Sequence, residues 1–291
     1  MHIKLYPVKI ILAFLFVFCL LGTELTLFAK YTALNHATFE KVVESEQLED
    51  KTYATLENYF QTRSNSTGIP ASVYLNTIDK NNLREGILIS VSNAFDYLHD
   101  KSDTYEFYMD FTELENSITE FFSNYADENN FKKDDIYQQK VNSAIQEAET
   151  EILFMTDTFK FSTIQENGWL KTAKKYIGLL NKISILCIIA SIIIFILLLL
   201  CCMKQITEFL YWTGIASFIS GLLLLLPCMY LKATDYVSGF VIKDQQIFSA
   251  VVGYLHILTN QAILLSAITL LIGLLFLVIF GFLQKNKTSS I

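Results

Sequence analysis

The chain has 291 residues, of which 52% are hydrophobic and 14% aromatic, with a formal net charge of −7 and a mean hydropathy of +0.37. That apolarity excludes an ordinary soluble domain of this length. Three Pro and eleven Gly leave little punctuation, so long helices are favoured.

The first element is an apolar run from near Ile10, preceded by Lys4 and Lys9. At about 20 residues it exceeds a signal-peptide core of roughly 7 to 15, and the Leu27-Phe28-Ala29 cleavage candidate has bulky Leu where a small residue is needed. An uncleaved transmembrane anchor over 1–30 is therefore expected. One carboxylate, Glu24, stands inside the run. A span over 5–23, with Lys9 reaching back to the cytoplasmic surface, places Glu24 at the outer interface. A span over 10–29 buries it ~8 Å below that surface and makes it a candidate intramembrane functional carboxylate. The boundary reading is the expectation, and the buried one stays open.

Residues 31–182 carry 25 acidic and 14 basic side chains, net −11, against 4 acidic and 8 basic in the remainder, net +4. So acidic a region repels nucleic acid and anionic head groups, and its partners should be cationic, neutral or apolar. It contains no cysteine, so it folds by packing alone. An irregular helix is expected around Phe39, Val43, Leu48, Leu56 and Tyr59. Three regular ones follow: Leu83, Ile87, Val91, Ala94 and Leu98, capped by Asp79; Phe111, Leu114, Ile118, Phe121 and Tyr125, capped by Asp110; and Tyr137, Val141, Ile145, Ala148, Ile152, Met155 and Phe159, starting near Asp134 and Asp135. SNSTGIPASVYL, residues 64–75, reads as a turn at Gly68 opening a short helix after Pro70, and a second break spans 100–105. Strand alternation is nowhere sustained, so the domain reads as a bundle of four or five helices.

Three further runs, over 183–203, 209–231 and 262–283, are free of charge and long enough for a bilayer core of ~30 Å, which takes about 20 helical residues. The fold class is accordingly an all-α membrane protein, with four transmembrane helices and a helical-bundle extracytoplasmic domain between the first and second. Pro227 is expected to break the third span near its outer end. The helix over 244–284 would be ~60 Å long, and its first part either packs against the outer domain or lies along the interface. Lys4, Lys9, Lys204, Lys285 and Lys287 against Lys232 and Lys243 favour both termini in the cytoplasm and 31–182 outside the plasma membrane; Lys171, Lys174, Lys175 and Lys182 before the second span argue the other way, but they end a long domain, whose translocation responds weakly to flanking charge.

Small residues line the last two spans: Gly214, Ser217 and Gly221 on one, Ala262, Ser266, Thr269 and Gly273 on the other. Such stripes let backbones approach closely, within the chain or across a homodimer seam. The spans lack the mid-membrane ionisable groups of a transporter, Glu24 apart. None of His2, His36, His99 and His256 is paired at metal-ligand spacing, and no nucleophile elbow, phosphate loop or Cys-x-x-Cys occurs. His99, Asp100 and Asp103 read as a solvated turn. No catalytic residue, metal or cofactor is expected.

With GIPASVYL and the lysine-bearing KTAKKYIGLLNKISIL entering the second span, the layout resembles uncharacterised four-span membrane proteins of low-GC Gram-positive bacteria. Twenty lysines to two arginines agree with an AT-rich bacterial genome. The resemblance implies no activity. The function expected is non-enzymatic: an outer domain that binds a partner or senses the envelope and couples to another membrane protein or to a second copy within the lipid bilayer. The alternative is an accessory or permease subunit of an export system.

Overall fold

A chain so poor in helix breakers folds into helices joined by turns and by one longer irregular segment over 99–111, and the computed structural model, which describes residues 6–288 and the side chains of 6–285, contains no strand among them. His2 and Lys4 lie outside the described residues. The elements are α1 (Tyr6–Phe28, continued by a π turn at Ala29–Ala33), α2 (His36–Glu46), α3 (Leu48–Thr67), α4 (Ala71–Leu75), α5 (Lys80–Leu98), α6 (Thr112–Glu128), α7 (Asp135–Thr156), α8 (Phe161–Glu166), α9 (Trp169–Cys201), α10 (Ile206–Ala233) and α11 (Gln245–Thr288). Four of them, α1, α9, α10 and α11, are long and apolar enough to cross a membrane. The chain is thus an all-helical, multi-pass integral membrane protein.

Two units divide the chain. The span unit draws on the described part of Met1–Asn35, on Lys175–Gly239 and on the described part of Leu255–Ile291; the polar unit comprises His36–Lys174 and Phe240–Tyr254.

In the span unit, Ala13, Phe16 and Val17 of α1 pack with Leu198 and Cys202 and with Phe209, Trp212 and Ala216 of α10. Apolar side chains such as Ile185, Leu186 and Leu275 face outward, as lipid contact requires. Pro227 does not end α10, which continues to Ala233. Proline removes a single backbone donor, and the flanking turns hold the helix through it.

The polar unit has its own core, in which Leu56, Phe60, Tyr74, Leu83, Ile118 and Ile152 meet from α3 to α7. Asp79 and Asp134 cap α5 and α7 by accepting the backbone N–H of Asn81 and Tyr137 at 2.7 and 3.1 Å, and Asp110 accepts that of Thr112 at 3.0 Å at the start of α6. Gly68 ends α3 with φ of 74°, the left-handed conformation that glycine adopts freely.

Two expectations fail locally. The irregular first helix is two helices, broken at Gln47, whose φ is 50°. Phe159 is not on α7, which stops at Thr156 because Asp157 turns its side chain to the next helix start. With the short α4 and α8 the unit has more helices than the four or five expected. Of the two placements open to the first turns of α11, packing inside this unit is the one observed: Thr55 donates to Gln246 Oε1 at 2.8 Å, and Tyr254 lies 4.8 Å from the Phe39 ring.

Candidate functional site

In the span unit, polar groups gather along α1. Near its start Lys9 forms an ion pair with Glu208, at the beginning of α10. The Lys9 side chain is 11% exposed and that of Glu208 37%, so the pair is partly screened. The sequence alone places Lys9 as reaching back to the cytoplasmic surface, and the structure gives it Glu208 as a partner. The two are nonetheless opposite charges flanking apolar runs, which is the signal that could have paired them. Lys9→Met should lower the stability of the span unit by about 1–2 kcal/mol, less than a fully buried pair would cost. Adding Glu208→Leu should restore part of the loss, as read by detergent-induced unfolding of the full chain.

Further along α1, Thr23 donates to the Cys19 carbonyl at 2.8 Å and lies 3.1 Å from Ser191 of α9. Glu24 is 7% exposed. The Ser220 hydroxyl of α10, itself fully buried, donates to Glu24 Oε2 at 3.4 Å, and the Thr269 side chain of α11 is the second hydrogen-bonding neighbour. Glu24 therefore does not stand at an open helix end. Its partner Ser220 lies 14 residues past the start of the 28-residue α10, which is halfway along.

The small-residue stripes meet each other. A side chain on Gly221 would press on the backbone of Ser266 and Leu270, and one on Gly273 on the backbone of Gly214 and Phe218. Ser217 and Ser266 are buried in the same region, and Ser266 donates to the Ala262 carbonyl at 2.7 Å. The stripes serve a close α10–α11 crossing within the chain.

The polar unit offers two features that periodicity alone did not reveal. One is an open groove of about 400 Å³ beside α5, lined by Asn82, Glu85, Gly86, Tyr108, Met109 and Glu113 among others. Its floor is apolar and its rim acidic, and Tyr108 is 69% exposed. The other is a buried polar knot. Asp157 Oδ1 accepts from Ser90 at 3.1 Å and from the Phe161 N–H at 3.0 Å, and Oδ2 accepts from the Ser162 N–H at 2.8 Å. The Tyr105 hydroxyl lies 2.9 Å from Ser90. Burial, then the charge of Asp157, pushes the Tyr105 phenol up to about 12. An Asp four residues ahead of an apolar helix start was the readable sign of this cap. Beside it, burial lowers the Lys160 ammonium below its ordinary value, and its cation sits 3.4 Å from the centre of the Phe154 ring.

The remaining candidates scatter. His36 pairs with Glu40 at 3.3 Å and His256 with Asp235 at 3.7 Å, and Asp100 is taken by Lys174 at 2.8 Å. Among the described residues no group of three or more His, Cys, Asp or Glu side chains is placed to hold a metal ion. No protein-family model, curated protein or solved structure matches the chain.

Proposed function

We propose that this multi-pass membrane protein is a non-enzymatic adaptor: its polar unit lies on the extracytoplasmic face, binds a partner membrane protein through the acidic groove beside α5, and has both chain termini on the cytoplasmic side. The observation that carries the reading is the groove itself, a concave surface with an apolar floor and with Glu85, Asp110 and Glu113 around it, on a unit that holds its own core. Concave, mostly apolar surfaces with a few directed polar groups are where proteins take ligands. The occupant that fits is a basic, amphipathic segment of the partner, because residues 31–182 carry net −11 and charge complementarity sets both encounter rate and specificity. The sidedness is supported by the lysine distribution over the short loops.

Two measurements on intact cells test it. In a cysteine-free full-length background, Asn129→Cys should react with a membrane-impermeant maleimide without permeabilisation; labelling only after permeabilisation refutes the outside placement. A photo-crosslinking residue at Tyr108 should then give a discrete adduct with one membrane protein. Glu85→Lys with Glu113→Lys should reduce that adduct about tenfold, the scale of ~1.4 kcal/mol in binding. An adduct indifferent to the charge reversal rejects the groove.

A further inference from the structure

Glu24 is a buried acid without a counter-charge. The groups facing it are the Ser220 hydroxyl from α10, at 3.4 Å, and the Thr269 side chain from α11. On α9 the titratable group against this stretch of α1 is the Cys187 thiol, which meets Gly22, and on α1 itself Cys19 lies five residues back. Among the described residues no charged side chain acts on Glu24.

Distance from the ends sharpens the point. Lys9 and Glu208 pair at one end of the bundle. Glu24 lies 15 residues beyond Lys9, and Ser220 lies 12 beyond Glu208, which is roughly 22 and 18 Å of helix respectively. With a bilayer core of ~30 Å starting at that pair, Glu24 and Ser220 lie about 8 and 12 Å inside the opposite surface, within the hydrocarbon. An ionised carboxylate there, with two neutral hydroxyls and no cation, meets a penalty of several kcal/mol or more, which taking up a proton removes. A resident metal cation would need about six oxygen ligands. The carboxylate and two hydroxyls supply four at most.

We propose that Glu24, with Ser220 and Thr269, is a proton-binding site inside the span unit: at neutral pH the carboxyl holds its proton and shares it with these hydroxyls, tying α1 to α10 and α11. Losing the proton leaves a bare carboxylate among apolar side chains, which weakens that tie. The site is therefore one at which proton occupancy and the packing of α1 are linked. Its ligand is the proton, and a monovalent cation is the competing occupant to be excluded.

The test uses the full-length protein in liposomes and a hydrophobic carbodiimide, which modifies protonated buried carboxyls. At pH 7 the adduct should map to Glu24 by mass spectrometry and be absent in Glu24→Gln. As pH rises past the ionisation midpoint, labelling should fall about tenfold per pH unit and be indifferent to sodium. Infrared spectra of wild type minus Glu24→Gln supply an independent readout that needs no reagent access. A protonated-carboxyl carbonyl band at pH 7 supports the site even if the reagent is excluded. An ionised-carboxylate band at pH 7, or protection of Glu24 from the reagent by sodium at fixed pH, overturns it.

Discussion

Alanine at Gly221 or at Gly273 should each cost the span unit about 3 kcal/mol, the upper part of the range for overpacking a core. The added methyl at Gly221 would lie 2.6 Å from the Leu270 backbone nitrogen and 2.8 Å from the Ser266 carbonyl oxygen. The one at Gly273 would meet the Phe218 backbone nitrogen and lie 2.8 Å from the Gly214 carbonyl oxygen. Backbone atoms cannot rotate away as a side-chain tip can, so the two helices must separate along their crossing. In lipid the loss is felt fully, because van der Waals contact between closely approaching backbones is a main force holding spans together. Gly178→Ala and Gly281→Ala are the matched controls. Nothing lies within 4 Å of either new methyl, so relief of the glycine entropy cost should stabilise each helix by about 0.5–1 kcal/mol. Equilibrium unfolding of the full-length protein in mixed micelles should thus give opposite signs for the two pairs. A homodimer seam would respond differently. There, Gly221→Ala would shift the oligomer distribution and leave monomer stability unchanged, and that result would refute the intrachain crossing.

Much of the helical plan is legible in the residues because its determinants are local. Asp79 and Asp134 cap as expected, since each cap depends on a side chain and a backbone N–H two or three positions away; Asp110 also accepts a nearby N–H, but from one position ahead of the cap residue Phe111. The stripe Val141, Ala148, Ile152 and Met155 is buried, because an amphipathic period needs no knowledge of the partner helix. What sequence left open depends on register between distant segments. The choice between a boundary and a buried Glu24 turns on whether Ser220, 196 positions on, arrives at the same height. Lys9 and Glu208, separated by 199 positions, pose the same problem. The break at Gln47 carried no glycine or proline to announce it. The shape of the groove beside α5 depends on the irregular segment that bounds it, and irregular backbone has no period to read. Phe159 shows the converse: the hydrophobic period continues in sequence past Asp157, whose side chain ends the helix by bonding to the next helix start.

That residue, Asp157, carries the second large effect. Asp157→Ala should destabilise the polar unit by about 3–4 kcal/mol. It orphans the Phe161 and Ser162 N–H groups and leaves the Ser90 hydroxyl only Tyr105 where Asp157 and Ser90 are 3% and 2% exposed, and each stranded buried donor costs about 1–3 kcal/mol, less than additively. Asp157→Asn keeps the shape but turns an NH₂ toward donors, and should lose about 2 kcal/mol. Tyr105→Phe removes a hydroxyl whose partner Ser90 keeps Asp157, and should lose about 1 kcal/mol. Hydrogen exchange on the full-length protein should show this order in the protection of α5 and α8, while α10 stays unaffected. The knot also sets an alkaline limit. The Tyr105 phenol titrates at about 12 when folded and near 10 when unfolded, so its burial stabilises fully below pH 10 and is lost as pH climbs from 10 to 12. The loss amounts to about 3 kcal/mol for two units of pH. Tyr105→Phe should therefore start less stable than wild type near pH 8 and overtake it above pH 11. Parallel alkaline unfolding curves, with no crossing, would show that the phenol is not the group being titrated.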